Sequence, residues 1–220
     1  MASVSPYYIY SMKRMFILSL VAMTGMQLMA QSTIQLPTPD KHVQMSLFEA
    51  LQNRKSTRSF SDKAVSDATL SQLLWAAIGI NRADGHLTAP TAINAQDISV
   101  YVIRKDGAYL YQAKQNTLEK VSDQDLRQAV ASRQAYAADA PVSLVIVSDN
   151  AKFKGSSTNG PTLSGAMDAG YVSQNICLAT EALGLVTVPR ATMDKDALSQ
   201  ALKLTDQQYP LLNHPVGYEK

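Results

Sequence analysis

The chain has 220 residues, 46% of them apolar and 17% charged, an ordinary globular composition with slightly few charges. Twenty Lys and Arg against 18 Asp and Glu leave a formal charge of +2, which excludes a general nucleic-acid binder. One cysteine, Cys177, excludes an internal disulfide framework and any cysteine-rich zinc or iron–sulfur site. The histidines, His42, His86 and His214, never stand at metal-ligand spacing.

Lys13 and Arg14 precede an uncharged stretch, residues 15–30, whose apolar heart is residues 16–23. A positive start, a short apolar run and a small residue at a cut point read as a secretory signal peptide. The cut falls after Ala30, and residues 1–11 ahead of Met12 read as an extension. Thr24, Gly25 and Gln27 interrupt the run too often for a membrane span. No cysteine follows it to carry a lipoprotein anchor. The expected location is therefore the bacterial periplasm, or the cytoplasm if the signal is not used. Removing residues 1–30 leaves 18 basic and 18 acidic residues. Residues 31–220, without repeat or linker, read as a single domain.

In chain order, Pro37 and Pro39 mark an extended lead-in, and Ser46 with Glu49 three residues later forms a capping box for a short helix. Leu70, Leu73, Leu74, Ala77 and Ile78 follow helical spacing, with Ser66 or Asp67 to cap. Residues 82–97 read as a loop, 98–103 as a β-branched strand, and 109–111 as its hairpin return after an Asp106-Gly107 turn. Residues 123–136 look helical. Residues 142–147 are the most apolar strand and read as central. Residues 154–161 form a Gly/Ser-rich loop without the lysine placement of a phosphate loop. A long helix over 163–183 stops at Gly184. A strand at 185–188, a helix at 194–202 and a strand at 211–217 complete the chain. The irregular alternation predicts an α+β fold with a central mixed or antiparallel sheet flanked by helices.

The densest polar constellation is Arg54-Lys55-Ser56-Thr57-Arg58-Ser59-Phe60. Forked guanidinium donors with adjacent hydroxyls suit a dianion such as phosphate, although a solvated basic turn has the same composition. No catalytic dyad or triad is evident. Asp168 and Glu181 read as surface or capping residues on the long helix, Cys177 as a buried thiol, Trp75 as packing and His214 as structural.

These residues, with four further stretches, resemble the FMN-dependent nitroreductase family. Residues 54–60 are similar to its Arg-x-Ser-x-Arg-x-Phe signature, and residues 73–82 to the helix ending Gly-x-Asn-Arg. Residues 90–96 resemble its Pro-Ser-x-x-Asn-x-Gln loop, residues 169–185 its long helix and glycine stop, and residues 214–218 its Pro-Val-Gly-Tyr close. The resemblance implies a nitroreductase-like fold and an intertwined homodimer with FMN at the interface. It implies that Arg54, Lys55, Ser56 and Arg58 hold the flavin phosphate and ribityl chain, and that Asn94 and Gln96 reach the ring from the partner subunit. Pro189, Arg190 and Ala191 would form the loop whose Ala191 N–H approaches flavin N5, where many relatives carry glycine. Lys220 is the basic residue left to approach the phosphate. The flavin would carry the chemistry with no catalytic side chain, taking hydride from NAD(P)H and passing it to a nitroaromatic, quinone or similar small-molecule acceptor. The alternatives are a dehydrogenase or oxidase of the thiazoline-oxidase type, a flavin-binding module without turnover, and a secreted interaction domain whose basic loop binds another anion.

Overall fold

In the computed structural model, which describes residues 32–153 and 160–220, the strands form one sheet in which every pairing is antiparallel. The strands are β1 (Thr33–Gln35), β2 (Ile98–Arg104), β3 (Gly107–Gln112), β4 (Thr117–Ser122), β5 (Val142–Asp149), β6 (Val186–Thr187) and β7 (Gln208–Gly217), in the spatial order β1-β4-β3-β2-β5-β7-β6. The helices are α1 (Leu47–Asn53), α2 (Asp67–Ile78), α3 (Arg127–Ala131), α4 (Leu163–Ala182) and α5 (Lys195–Ala201). The expected signal peptide lies outside the described residues, as does most of the expected 154–161 loop.

Strand periodicity explains how the sheet carries helices on both sides. Val100 and Val102 of β2, with Leu144 and Ile146 of β5, face Leu70, Leu73 and Leu74 of α2 and Val172 and Ile176 of α4. The intervening Tyr101, Ile103, Val145 and Val147 face the other way, against Leu126, Val130, Leu198 and Leu202 around α3 and α5. Because both faces of β5 are covered, its centre, residues 144–147, is apolar without alternation.

The helix ends obey local chemistry. Ser46 and Glu49 form the capping box of α1, with Ser46 N donating to Glu49 Oε2 at 2.7 Å. Ser66 Oγ accepts from Thr69 N at the start of α2. α4 closes in a Schellman motif. Leu185 N donates to Thr180 O (2.8 Å), Gly184 N donates to Glu181 O (3.1 Å), and Gly184 takes the left-handed φ of +66° that the motif requires. Near its start, α4 packs so tightly on β5 that a Cβ at Gly165 would overlap Ser148 Oγ.

Three sequence expectations need correction. β4 occupies 117–122, which had not read as a strand, and β1 pairs with it at the sheet edge. The helix expected over 123–136 is only Arg127–Ala131, broken at Ser132 (φ +50°) and followed by a 3₁₀ turn at Ala135–Ala138. The last strand begins at Gln208, earlier than expected, because Gln208, Tyr209 and Pro210 extend the pairing with β5.

Candidate functional site

The 54–60 segment leaves α1 at Arg54, whose N–H still donates to Ala50 O (3.0 Å). It is then pinned at three points. Thr57 N donates to Thr187 O on β6 (3.0 Å), Phe60 bridges to Glu219, and Ser61 N donates to Tyr218 O (2.9 Å). Thr57 and Phe60 are buried, whereas Lys55, Ser56 and Arg58 are exposed and Arg54 is half-buried. Lys55 Nζ lies 3.4 Å from Glu219 Oε1, an exposed pair of small energetic weight. Arg54 and Arg58 pair with no carboxylate among the described residues. Two guanidiniums and a serine hydroxyl are thus fixed by backbone pairing while their donors stay available.

Arg54 stands beside Cys177 of α4. Burial pushes the Cys177 thiol up and the Arg54 charge works against it; the residue is a buried thiol with no base beside it.

The loop after β6 lies next to this segment through the Thr57–Thr187 contact. Arg190 and Asn213 exchange backbone hydrogen bonds, Arg190 N to Asn213 O at 2.9 Å and Asn213 N to Arg190 O at 2.7 Å. The Arg190 side chain turns inward and is buried. Its Nε donates to Gln134 Oε1 (2.7 Å) and its terminal nitrogens to Asn213 Oδ1 (2.8 Å), Val130 O (3.2 Å) and Ala131 O (2.9 Å). Those carbonyls close α3, where a cation complements the helix dipole. Arg190, expected as part of the loop that approaches the cofactor, thus directs its guanidinium into the interior. What the loop turns outward is Pro189 and Ala191, both exposed, and the Ala191 N–H has no hydrogen-bond partner among the described residues. Lys220 is exposed, next to the Glu219 that pairs with Lys55.

Asn94 and Gln96 sit elsewhere, on a loop with three left-handed residues, Ile93 (φ +52°), Asn94 (φ +53°) and Gln96 (φ +48°). Such backbone in non-glycine residues persists only where surrounding contacts over-determine it. Gln96 N donates to Thr91 Oγ1 (2.9 Å), Gln96 Nε2 to Gly85 O (3.1 Å), and Ala92 N to both Asp168 oxygens (2.9 and 3.1 Å). Asp168, expected as a surface or capping residue, is only 1% exposed. It anchors this loop to α4. Nine residues separate Asp168 from Cys177 on α4, or roughly 13 Å along the helix axis. Within one chain, then, the Asn94 loop and the Arg54 cluster occupy different stations along α4.

His214 of β7, fully buried, links α4 to β6. Thr187 Oγ1 gives its proton to Pro215 O (2.8 Å), so at 3.2 Å it accepts from His214 Nδ1–H, and Ser173 donates to the bare Nε2 at 2.8 Å. Burial pushes the imidazole down to about 3. Folded His214 therefore resists protonation that the unfolded chain accepts near pH 6.5. The sign follows: this residue costs nothing above pH 6.5 and removes about 1.4 kcal/mol of stability per pH unit on acidification between 6.5 and 3. His214→Gln should flatten that limb of a denaturation-midpoint profile against pH.

Sequence reading missed Asp97, Asp168, Ser173, Thr187 and Asn213 as parts of this framework. No local signal marks them, since each partner lies far away in the chain.

The model of the family described as Nitroreductase family matches residues 51–218. A candidate nitroreductase of Methanocaldococcus jannaschii is 27% identical over 194 residues, covering 84% of this chain and 96% of that relative. The Bacillus subtilis protein named FMN reductase, NAD(P)H, is 27% identical over 186 residues, covering 78% of this chain and 65% of its own length. The crystal structure of a candidate nitroreductase from Ralstonia eutropha JMP134 is 32% identical, with a TM-score of 0.79 over 86% of this chain and 90% of that one.

Proposed function

The chain belongs to the nitroreductase family, and from that premise we propose that it is an FMN-dependent NAD(P)H oxidoreductase. The observation that carries this reading is the pinned 54–60 segment, which presents unpaired Arg54 and Arg58 with Ser56 and is joined through Thr57 to β6, just ahead of the loop in which the Ala191 N–H has no partner among the described residues. These groups fit a flavin mononucleotide: forked cations and a hydroxyl for its phosphate and ribityl chain, and an unpaired amide for a ring acceptor. Bound flavin supplies the two-electron chemistry, accepting hydride from NAD(P)H and returning it to a nitroaromatic, quinone or similar small molecule. The chain's own part is to bind and orient. Arg54 and Arg58 neutralise the dianion, Lys55 and Lys220 add positive potential at the rim, and the Arg190 side chain anchors the 188–192 loop that carries the unpaired Ala191 N–H. No side-chain acid or base is assigned to the reaction.

We also propose that the working enzyme is a homodimer. The separation of Asn94 and Gln96 from the Arg54 cluster along α4 supports a site completed by a second copy. So does the exposure of large apolar side chains on α1 (Leu47, Phe48, Leu51) and α4 (Leu163, Met167, Tyr171). No helix among the described residues is long and apolar enough to cross a membrane. Residues 1–30 are assigned to export, giving a periplasmic domain of residues 31–220.

The visible spectrum of the purified protein, before and after anaerobic NADPH, tests the function. Yellow protein that releases FMN on denaturation and bleaches with NADPH is the expected result. Flavin that stays oxidised with NADH and NADPH alike removes the reductase reading and leaves an oxidase or a binding module. Colourless protein that takes up no added FMN overturns the proposal.

A further inference from the structure

Two acids are buried together where the Asn94 loop meets the sheet. Asp97 precedes β2 and Asp168 lies on α4; each is 1% exposed, and their carboxyls are within hydrogen-bonding reach of each other. The other polar contacts there, among the described residues, are these. Both Asp168 oxygens take the Ala92 N–H. Asp97 Oδ2 accepts from Ser148 Oγ at 2.6 Å. Asp97 Oδ1, buried, is left with no donor.

No cation among the described residues faces the pair. β5 presents the Ser148 hydroxyl, while the neighbouring Asp149 carboxylate turns to Ala151 N and Gln208 Nε2. α4 presents Asp168 and the bare backbone at Gly165. The 91–96 loop presents amides and the Thr91 hydroxyl. Two ionised carboxylates in contact, shielded from water and without a counter-ion, repel strongly, whereas one proton between them forms a short charge-assisted hydrogen bond.

We propose that Asp97 and Asp168 share one proton, carried on Asp97 Oδ1 and donated to Asp168, and that this clasp fastens the 91–96 loop to α4. Asp97 is thereby a positioning residue for Asn94 and Gln96. Only that last statement rests on the flavin site proposed above; the clasp itself does not. The proton satisfies the orphaned oxygen and leaves the Asp168 carboxylate to hold the Ala92 N–H, which in turn holds the loop that carries the left-handed residues Ile93, Asn94 and Gln96. Burial pushes Asp97 up to about 6; the Ser148 hydrogen bond opposes this and Asp168 adds to it. A raised acid stabilises the fold fully below its unfolded value near 4, and the contribution is lost as pH rises through about 6.

The test is Asp97→Asn, whose amide donates to Asp168 and whose carbonyl accepts from Ser148, a permanent copy of the protonated acid. In denaturant titrations of the full chain, the folding constant of D97N relative to wild type should rise about tenfold from pH 5 to pH 8. Hydrogen exchange at Ala92, corrected for intrinsic rate, should accelerate above pH 6 in wild type and stay level in D97N. Asp168→Asn, which supplies an amide donor to ionised Asp97, should abolish the same pH step if D97N fails to fold. A ratio independent of pH, or equal exchange profiles, overturns the clasp. Titration with FMN separates the two readings. Wild-type affinity falling across the same window while D97N stays level extends the clasp to the cofactor. Level affinity in both, with the folding step intact, removes Asn94 and Gln96 from the flavin site and leaves the clasp standing.

Discussion

Replacing Arg54 and Arg58 together by Ala should raise the FMN dissociation constant by about a hundredfold or more, with the fold intact. Each charge-assisted hydrogen bond contributes roughly 1.5–3 kcal/mol, and a factor of ten corresponds to about 1.4 kcal/mol. Neither guanidinium is tied to a carboxylate among the described residues, so the substitutions break no ion pair. The segment itself is held by the backbone of Thr57, Phe60 and Ser61, which the double variant keeps. Fluorescence titration with FMN reads the affinity, and far-UV circular dichroism with an unchanged denaturation midpoint reads the fold. Undiminished flavin retention would remove both arginines from the cofactor site. Lys55→Ala should do far less, because its ammonium is an exposed partner of Glu219.

Arg190→Met should show the converse pattern, a large loss of stability preceding any effect on the cofactor. The substitution keeps most of the aliphatic volume but strips donors from Gln134 Oε1, Asn213 Oδ1 and the Val130 and Ala131 carbonyls. Buried acceptors left without donors each cost about 1–3 kcal/mol, so a loss of about 3–5 kcal/mol is expected after partial repair by water. The urea midpoint should fall at a nearly constant slope. Arg190→Lys should recover only part of it, since an ammonium cannot span four acceptors arranged for a planar fork. A variant as stable as wild type would show that the guanidinium does not hold α3 to the 188–192 loop.

The elements that could be read from sequence are those whose cause is local. α4 announces itself by length and its Gly184 stop; β5 by five apolar residues in the six of 142–147; α2 by five apolar residues at helical spacing. β4 went unseen because Thr117-Leu118-Glu119-Lys120-Val121-Ser122 is polar and only half-buried, and becomes a strand through pairing with β3 and β1. α3 was overextended because residues 123–136 have good helical composition. The Arg190 side chain, which arrives from about sixty residues away, instead takes the carbonyls at its end. In the site, the basic cluster was legible as a cluster of charge. The inward turn of Arg190, and the burial of Asp168, expected as a surface or capping residue, depend on partners no local pattern reveals. The left-handed backbone at Ile93, Asn94 and Gln96 carries no glycine to mark it.

The order of strands in the sheet also has a consequence for synthesis. β7, last in the chain, lies between β5 and β6, and the residues just after it hold the 54–60 segment, with Lys55 and Glu219 164 positions apart. A nascent chain still lacking β7 has its arginines but neither the Phe60–Glu219 bridge nor the Ser61–Tyr218 bond that hold their segment, and β6 has no neighbour to pair with. Contacts this distant in sequence close late and slowly. If the 54–60 segment holds the flavin as proposed, ribosome-stalled chains truncated before Gln208 should retain no cofactor however complete their helices.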